Sequence, residues 1–125
     1  LRFISPVMGL FRVTKEAVEI ADQKVPAGSH VQILWASANH DDSVFPDPEK
    51  LDLRRPNIRQ HLSFGSGPHF CPGAPLSRFE ARVTLELLVP RLRSIRLSDS
   101  FEPNWGPHFH LRGLTELPLE LEVEA

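Results

Sequence analysis

Phe64-Gly65-Ser66-Gly67-Pro68-His69-Phe70-Cys71-Pro72-Gly73 is the stretch that decides the reading of this 125-residue chain. It runs without a break into Ala74-Pro75-Leu76-Ser77-Arg78-Phe79-Glu80-Ala81-Arg82, where the pattern turns helical. Leu76, Phe79, Val83 and Leu87 recur at the spacing of one helix face, while Arg78, Glu80, Arg82 and Glu86 point largely elsewhere. A lone cysteine therefore stands just before a helix N-terminus. Exposed amides and the positive end of a helix dipole favour a thiolate over a thiol at such a place. Gly65, Gly67 and Gly73 permit tight turns and a close backbone approach to something flat or bulky. On these residues alone, Cys71 is a nucleophile, a metal ligand or a haem ligand.

Upstream, Phe11–Thr14 and Ala17–Ile20 read as short strands, Pro26-Ala27-Gly28 as a turn, and His30–Trp35 as a half-buried strand of alternating polarity. Together they predict a small antiparallel meander. From Asn39 to Pro56 the chain is polar and proline-rich, with Phe45-Pro46-Asp47-Pro48 as a breaker and a short helical turn expected from Asp47 to Leu51. Pro56 to Gly73 has no periodicity, and a loop of that length in a compact domain is usually functional or disordered. The helix is expected to run to about Leu92 with its apolar face in the core, ended or kinked by Pro90. Ile95–Leu97 and Leu117–Val123 read as strands flanking a loop through Trp105 and His110. The expected fold class is α+β: a small antiparallel sheet, the cysteine loop and one long helix.

A net charge of −2 argues against nucleic acid as the main partner. No apolar run approaches the roughly 20 residues that span a bilayer, so no membrane association is expected. Leu1-Arg2-Phe3-Ile4-Ser5-Pro6 lacks the regions of a signal peptide. A single cysteine excludes an internal disulfide and fits a reducing cytoplasm. The chain opens without methionine inside what reads as an apolar element, so a portion of a longer protein is expected. Taken alone, such a portion would expose apolar faces and self-associate through them.

The cysteine stretch resembles the haem-binding loop of cytochromes P450, FGxGxHxCxG, with Phe64, Gly65, Gly67, His69, Cys71 and Gly73 at its fixed positions. The likeness extends along the chain. Residues 74–82 look like the start of the family's proximal helix. Ala38-Asn39-His40-Asp41 and Phe45-Pro46-Asp47-Pro48 look like its bacterial stretch between small sheet and haem loop, and Leu114-Thr115-Glu116-Leu117-Pro118 like its C-terminal strand region. The resemblance implies the proximal, C-terminal haem-binding part of that fold over residues 1–125, without the N-terminal and distal parts.

It also assigns roles. Cys71 matches the axial thiolate ligand, His69 a residue hydrogen-bonded to a haem propionate, and Arg12 a strand arginine paired with a propionate. Phe64 matches the aromatic residue that shields the sulfur; Gly65 and Gly73 complete the loop. Arg2 fits the arginine of the ExxR pair, whose glutamate would lie two positions before Leu1, so Arg2 is expected to be buried without its carboxylate. Arg55 best fits the third member of that Glu-Arg-Arg cluster, with its neighbour Arg54 as the alternative. Pro72 lacks an amide hydrogen, which leaves Gly73 and Ala74 as candidate donors to the sulfur. Val7–Leu10 and Phe109-His110-Leu111 fall where substrate-contacting loops would lie.

The implied activity is haem-thiolate monooxygenation of a small organic substrate. The implied cofactor is haem b (iron protoporphyrin IX), and electrons would come from a ferredoxin- or flavodoxin-type donor. Helix arginines are candidates to meet that donor, with a solvated face as the plainer alternative. Two further alternatives are a haem-binding module without monooxygenase activity, and a zinc site from His69, Cys71, His108 and His110. The one-residue spacing of both pairs is poor for tetrahedral geometry.

Overall fold

The computed structural model describes residues 1–124. They group into two compact units, Leu1–Ser63 with His108–Arg112, and Phe64–Pro107 with Gly113 onward.

In the first unit, β1 (Leu10–Val13) pairs antiparallel with β4 (His30–Ile33), in register from Leu10 opposite Ile33 to Val13 opposite His30. Between them β2 (Val18–Ile20) and β3 (Gln23–Val25) form a separate antiparallel pair. The expected meander is therefore a hairpin inserted into a hairpin. The cause is local: Ala21 and Asp22 adopt positive φ of 45° and 63°, the two-residue turn that closes β2 directly on β3. β1 must then find β4, and Gly28 N donates to Thr14 O (2.8 Å) to bring the chain back. β3 is not foreseen because Gln23-Lys24-Val25 is short and mostly polar. Trp35, expected to end the strand, instead begins α1 (Trp35–Ala38). The predicted helical turn at Asp47–Leu51 is a single turn, closed by Lys50 N donating to Asp47 O at 3.0 Å. Asp47 sits at φ 51°, outside the right-handed region, so no helix propagates.

The interior of this unit is unusually polar. Arg2, Ser5, Asn39, Arg55 and Ser63 are buried alongside Phe45. The proline-rich stretch has no ladder to satisfy its carbonyls, and buried carbonyls need donors. Arginine supplies several per side chain. Arg2 Nη1 donates to Asn39 O (2.6 Å) and Nη2 to Pro48 O (2.7 Å). Arg55 Nη1 donates to Pro46 O (2.6 Å) and Nη2 to Asp47 O (2.9 Å). The two guanidinium groups thus do for an irregular segment what a neighbouring strand does for a regular one.

The second unit holds α2 (Ala74–Leu88), which tightens into a 3-10 turn at Val89–Arg91 around Pro90. The turn leads to β5 (Leu92–Leu97), paired antiparallel with β6 (Leu119–Val123). Leu92, expected in the helix, is therefore the first strand residue; Pro90 has no amide hydrogen to continue the helical ladder. The apolar face of α2 is not core. Leu76 and Phe79 are 60% and 55% exposed, and Ala74 is the helix residue that is buried. No described helix is long and apolar enough to cross a membrane.

Candidate functional site

The cysteine loop is closed by its own backbone. Cys71 N donates to Phe64 O at 2.9 Å, and Phe70 N to Gly67 O at 3.0 Å over a 3-10 turn at Gly67–His69. Gly65 and Gly67 have φ of 73° and 68°. Around Gly67 a β-carbon would meet nothing within 4 Å, so conformation rather than crowding requires glycine there. Past the cysteine, Gly73 takes the N-cap position of α2, and its carbonyl accepts from Ser77 N at 2.9 Å.

Cys71 is a free, half-buried thiol. A β-carbon at Gly73 would stand 3.7 Å from its Sγ, an ordinary van der Waals contact. Ala74 N, expected as a donor toward the sulfur, donates instead to Cys71 O at 3.2 Å, because the turn that starts the helix claims that amide. His69 ends the 3-10 turn and is exposed. Gly65 is buried and Phe64 half-buried. The Phe64 ring has Phe70 beside it at 6.3 Å and the guanidinium of Arg78 over it at 4.6 Å.

The donor set limits the chemistry. Among the described residues, no three His, Cys, Asp or Glu side chains come together to hold a metal ion. His69 and Cys71 lie in one unit and His108 and His110 in the other, so neither unit by itself holds the three or four protein ligands that tetrahedral zinc needs. A single accessible sulfur suits a metal that arrives with its other ligands already in place. The residues of the loop thus fit a haem.

Arg12 lies in the other unit, exposed on β1, with Nη1 donating to Phe11 O at 2.8 Å. Arg2 and Arg55 are brought together: each reaches Lys50 O at 3.5 Å. Burial, and then the nearby charge of Arg55, lower the pKa of Arg2, with Glu49 acting in the opposite sense. The protons of Arg2 are taken by the backbone carbonyls of Asn39, Pro48 and Lys50. Arg55 Nε is different: it is buried with no hydrogen-bond partner among the described residues. The two stretches marked as substrate loops meet. Val7 bridges to Leu111, Met8 N donates to His110 O (2.9 Å) and Arg112 N to Pro6 O (2.7 Å), with the Phe109 ring tilted against Phe11 at 5.8 Å.

Sequence reasoning gave no role to Asn39, the fully buried hub of the first unit. Its Nδ2 donates to Ser5 Oγ (2.8 Å) and Ser63 Oγ (3.0 Å), and its Oδ1 accepts from Leu62 N at 2.7 Å. Nor did it foresee Arg78 over Phe64. Neither has a signal in spacing, because both partners are set by folding.

Comparison with known proteins bears on this geometry. The pattern of the family described as Cytochrome P450 matches residues 1–108. Cytochrome P450 119 of Sulfolobus acidocaldarius is 48% identical over 101 residues, covering 80% of this chain and 27% of that protein. The substrate-free structure of cytochrome P450 CYP150A6 of Mycobacterium marinum superposes with a TM-score of 0.94 at 36% identity, over 100% of this chain and 32% of that one. CYP109E1 from Bacillus megaterium, solved with testosterone, gives 0.87 at 42% identity, covering 95% of this chain and 32% of that one. The chain therefore spans about a third or less of the length of the relatives it matches.

Proposed function

Starting from the fact that the chain belongs to the cytochrome P450 family, we propose that it is the C-terminal, haem-binding portion of a monooxygenase, with Cys71 as the thiolate ligand to iron. The observation that carries this reading is one half-buried sulfur, framed by Gly65 and Gly67 at positive φ and set at the start of a long helix. When bound, haem b supplies the oxygen chemistry, which a thiolate ligand favours by donating electron density to the iron. The chain's own residues hold and tune it. His69 and Arg12 donate charge-assisted hydrogen bonds to the propionates, where the arginine fork matches a carboxylate. Phe64 keeps water from the sulfur, and a dry shell of this kind adjusts the redox potential of a metal site. Gly65 and Gly73 let the backbone lie close to the macrocycle.

The paired stretches Val7–Leu10 and Phe109–Leu111 form part of the wall facing a small organic substrate; the testosterone-bound relative supports a substrate of that class. Arg2 with the orphaned Nε of Arg55 offers a place for a carboxylate, as in the family's Glu-Arg-Arg cluster. Electrons arrive from a ferredoxin- or flavodoxin-type protein in the cytoplasm. Because the chain spans so small a share of its relatives, turnover belongs to the longer protein, and haem binding without turnover is the second reading for these residues alone. The test is the reduced, carbon-monoxide-bound spectrum of the haem-loaded protein. A red-shifted Soret band is expected, and Cys71→Ala or Cys71→His should abolish it. Retention of the band in the alanine variant would refute the ligand assignment.

A further inference from the structure

Arg78 lies in the first turns of α2, and its helix neighbours offer it no acid. The residues three and four positions away are Pro75, Ala74, Ala81 and Arg82, the last a like charge. Arg82, by contrast, has Glu86 at 3.9 Å. An exposed arginine with no helical partner would be expected to extend into water. Instead its guanidinium crosses from the helix to the loop and sits 4.6 Å from the centroid of the Phe64 ring. Phe64 is the residue whose carbonyl accepts the amide of Cys71 at 2.9 Å, and its ring also has the Phe70 ring 6.3 Å away. A cation at that distance over an aromatic face is attracted by the ring quadrupole, and arginine adds the stacking of two planes.

We propose that Arg78 is a positioning residue: by stacking on Phe64 it pins that ring between the helix start and the cysteine loop, and so fixes the shield of the Cys71 sulfur. The inference rests on the reading of Cys71 as the thiolate ligand. It differs from a role for Arg78 as one more surface charge for an electron donor, because its effect must pass through Phe64.

The experiment is a double-mutant cycle in the haem-loaded protein, followed by the rate at which the red-shifted carbon-monoxide band is lost on standing. Arg78→Ala is expected to lose the band about two- to fivefold faster, the range that an exposed cation–π contact supports. Arg78→Lys, which keeps a cation over the ring, should recover part of the difference. Arg78→Ala in a Phe64→Leu background should add nothing, because contacting residues that act as a unit are non-additive. Wild-type kinetics in Arg78→Ala, failure of lysine to recover any of the effect, or full additivity with Phe64→Leu would each overturn the proposal. If Cys71→Ala keeps the red-shifted band, the ligand reading has failed instead. The ring contact is then read in the haem-free chain from 4-fluorophenylalanine at position 64. Arg78→Ala must shift that fluorine resonance, and an unmoved signal overturns the contact itself.

Discussion

Asn39 is 0% exposed, yet all its side-chain hydrogen-bonding atoms are engaged, and its backbone carbonyl takes Arg2 as well. A buried donor or acceptor stripped of its partner costs about 1–3 kcal/mol, far more than the net gain from a solvated bond. Asn39→Ala orphans the amide of Leu62 and takes one donor from Ser5 and Ser63, whose hydroxyls still bond each other. It should lower stability by about 2–3 kcal/mol, read from urea unfolding. Asn57→Ala removes an exposed bond to Val44 O, so water replaces the partner and the loss should stay below about 1 kcal/mol. Equal losses in both variants would contradict the burial argument. The propionate assignments belong to the same scale. Charge-assisted bonds contribute roughly 1.5–3 kcal/mol each, so Arg12→Ala and His69→Ala should each release haem about tenfold more readily. Transfer of haem to apomyoglobin measures this, and unchanged transfer in both variants would remove the two residues from the site.

At the scale of elements, two turns use positive φ with different residue types. The cysteine loop uses Gly65 and Gly67, while the β2–β3 hairpin uses Ala21 and Asp22. A side chain with a β-carbon in the left-handed region costs roughly 1–2 kcal/mol, and Asn-Gly is the favoured pair for such a hairpin. The double change Ala21→Asn with Asp22→Gly should therefore stabilise the chain by about 1–2 kcal/mol, whereas Gly67→Ala should destabilise it by a similar amount. Opposite shifts of the thermal midpoint are the expected result. A common sign would show that some other contact governs one of the turns. The helix makes the complementary point: α2 ends where Pro90 dictates, and the chain turns at once into a strand.

For the molecule as a whole, the exposed apolar surface is the dominant fact. Leu76, Phe79 and Leu87 on one face of α2, with Leu119, Leu121 and Val123 along β6, are all exposed to solvent. Scattered apolar side chains are ordinary on a protein surface, but contiguous faces of this kind mark interfaces. As an isolated polypeptide the chain should self-associate through them. Sedimentation equilibrium should show a mass that rises with concentration, and Leu76→Ser combined with Phe79→Ser should weaken the association. A monomer at every concentration would mean that these faces are covered in solution.

Local sequence was enough to read the cysteine loop, the helix after it with a break or kink at Pro90, and three of the four strands of the first unit. Those features depend on local chemistry: glycine for positive φ, proline for a missing amide hydrogen, and apolar spacing for periodicity. The tertiary structure decided the rest. It paired β1 with β4 rather than β2, made Asn39 a hub, gave Arg2 and Arg55 the carbonyls of the proline-rich stretch, and laid Arg78 on Phe64. Each of these depends on partners distant in sequence or across a loop. Residue type shows what a side chain is able to donate, and only the folded path of the backbone shows which acceptor or ring lies within reach.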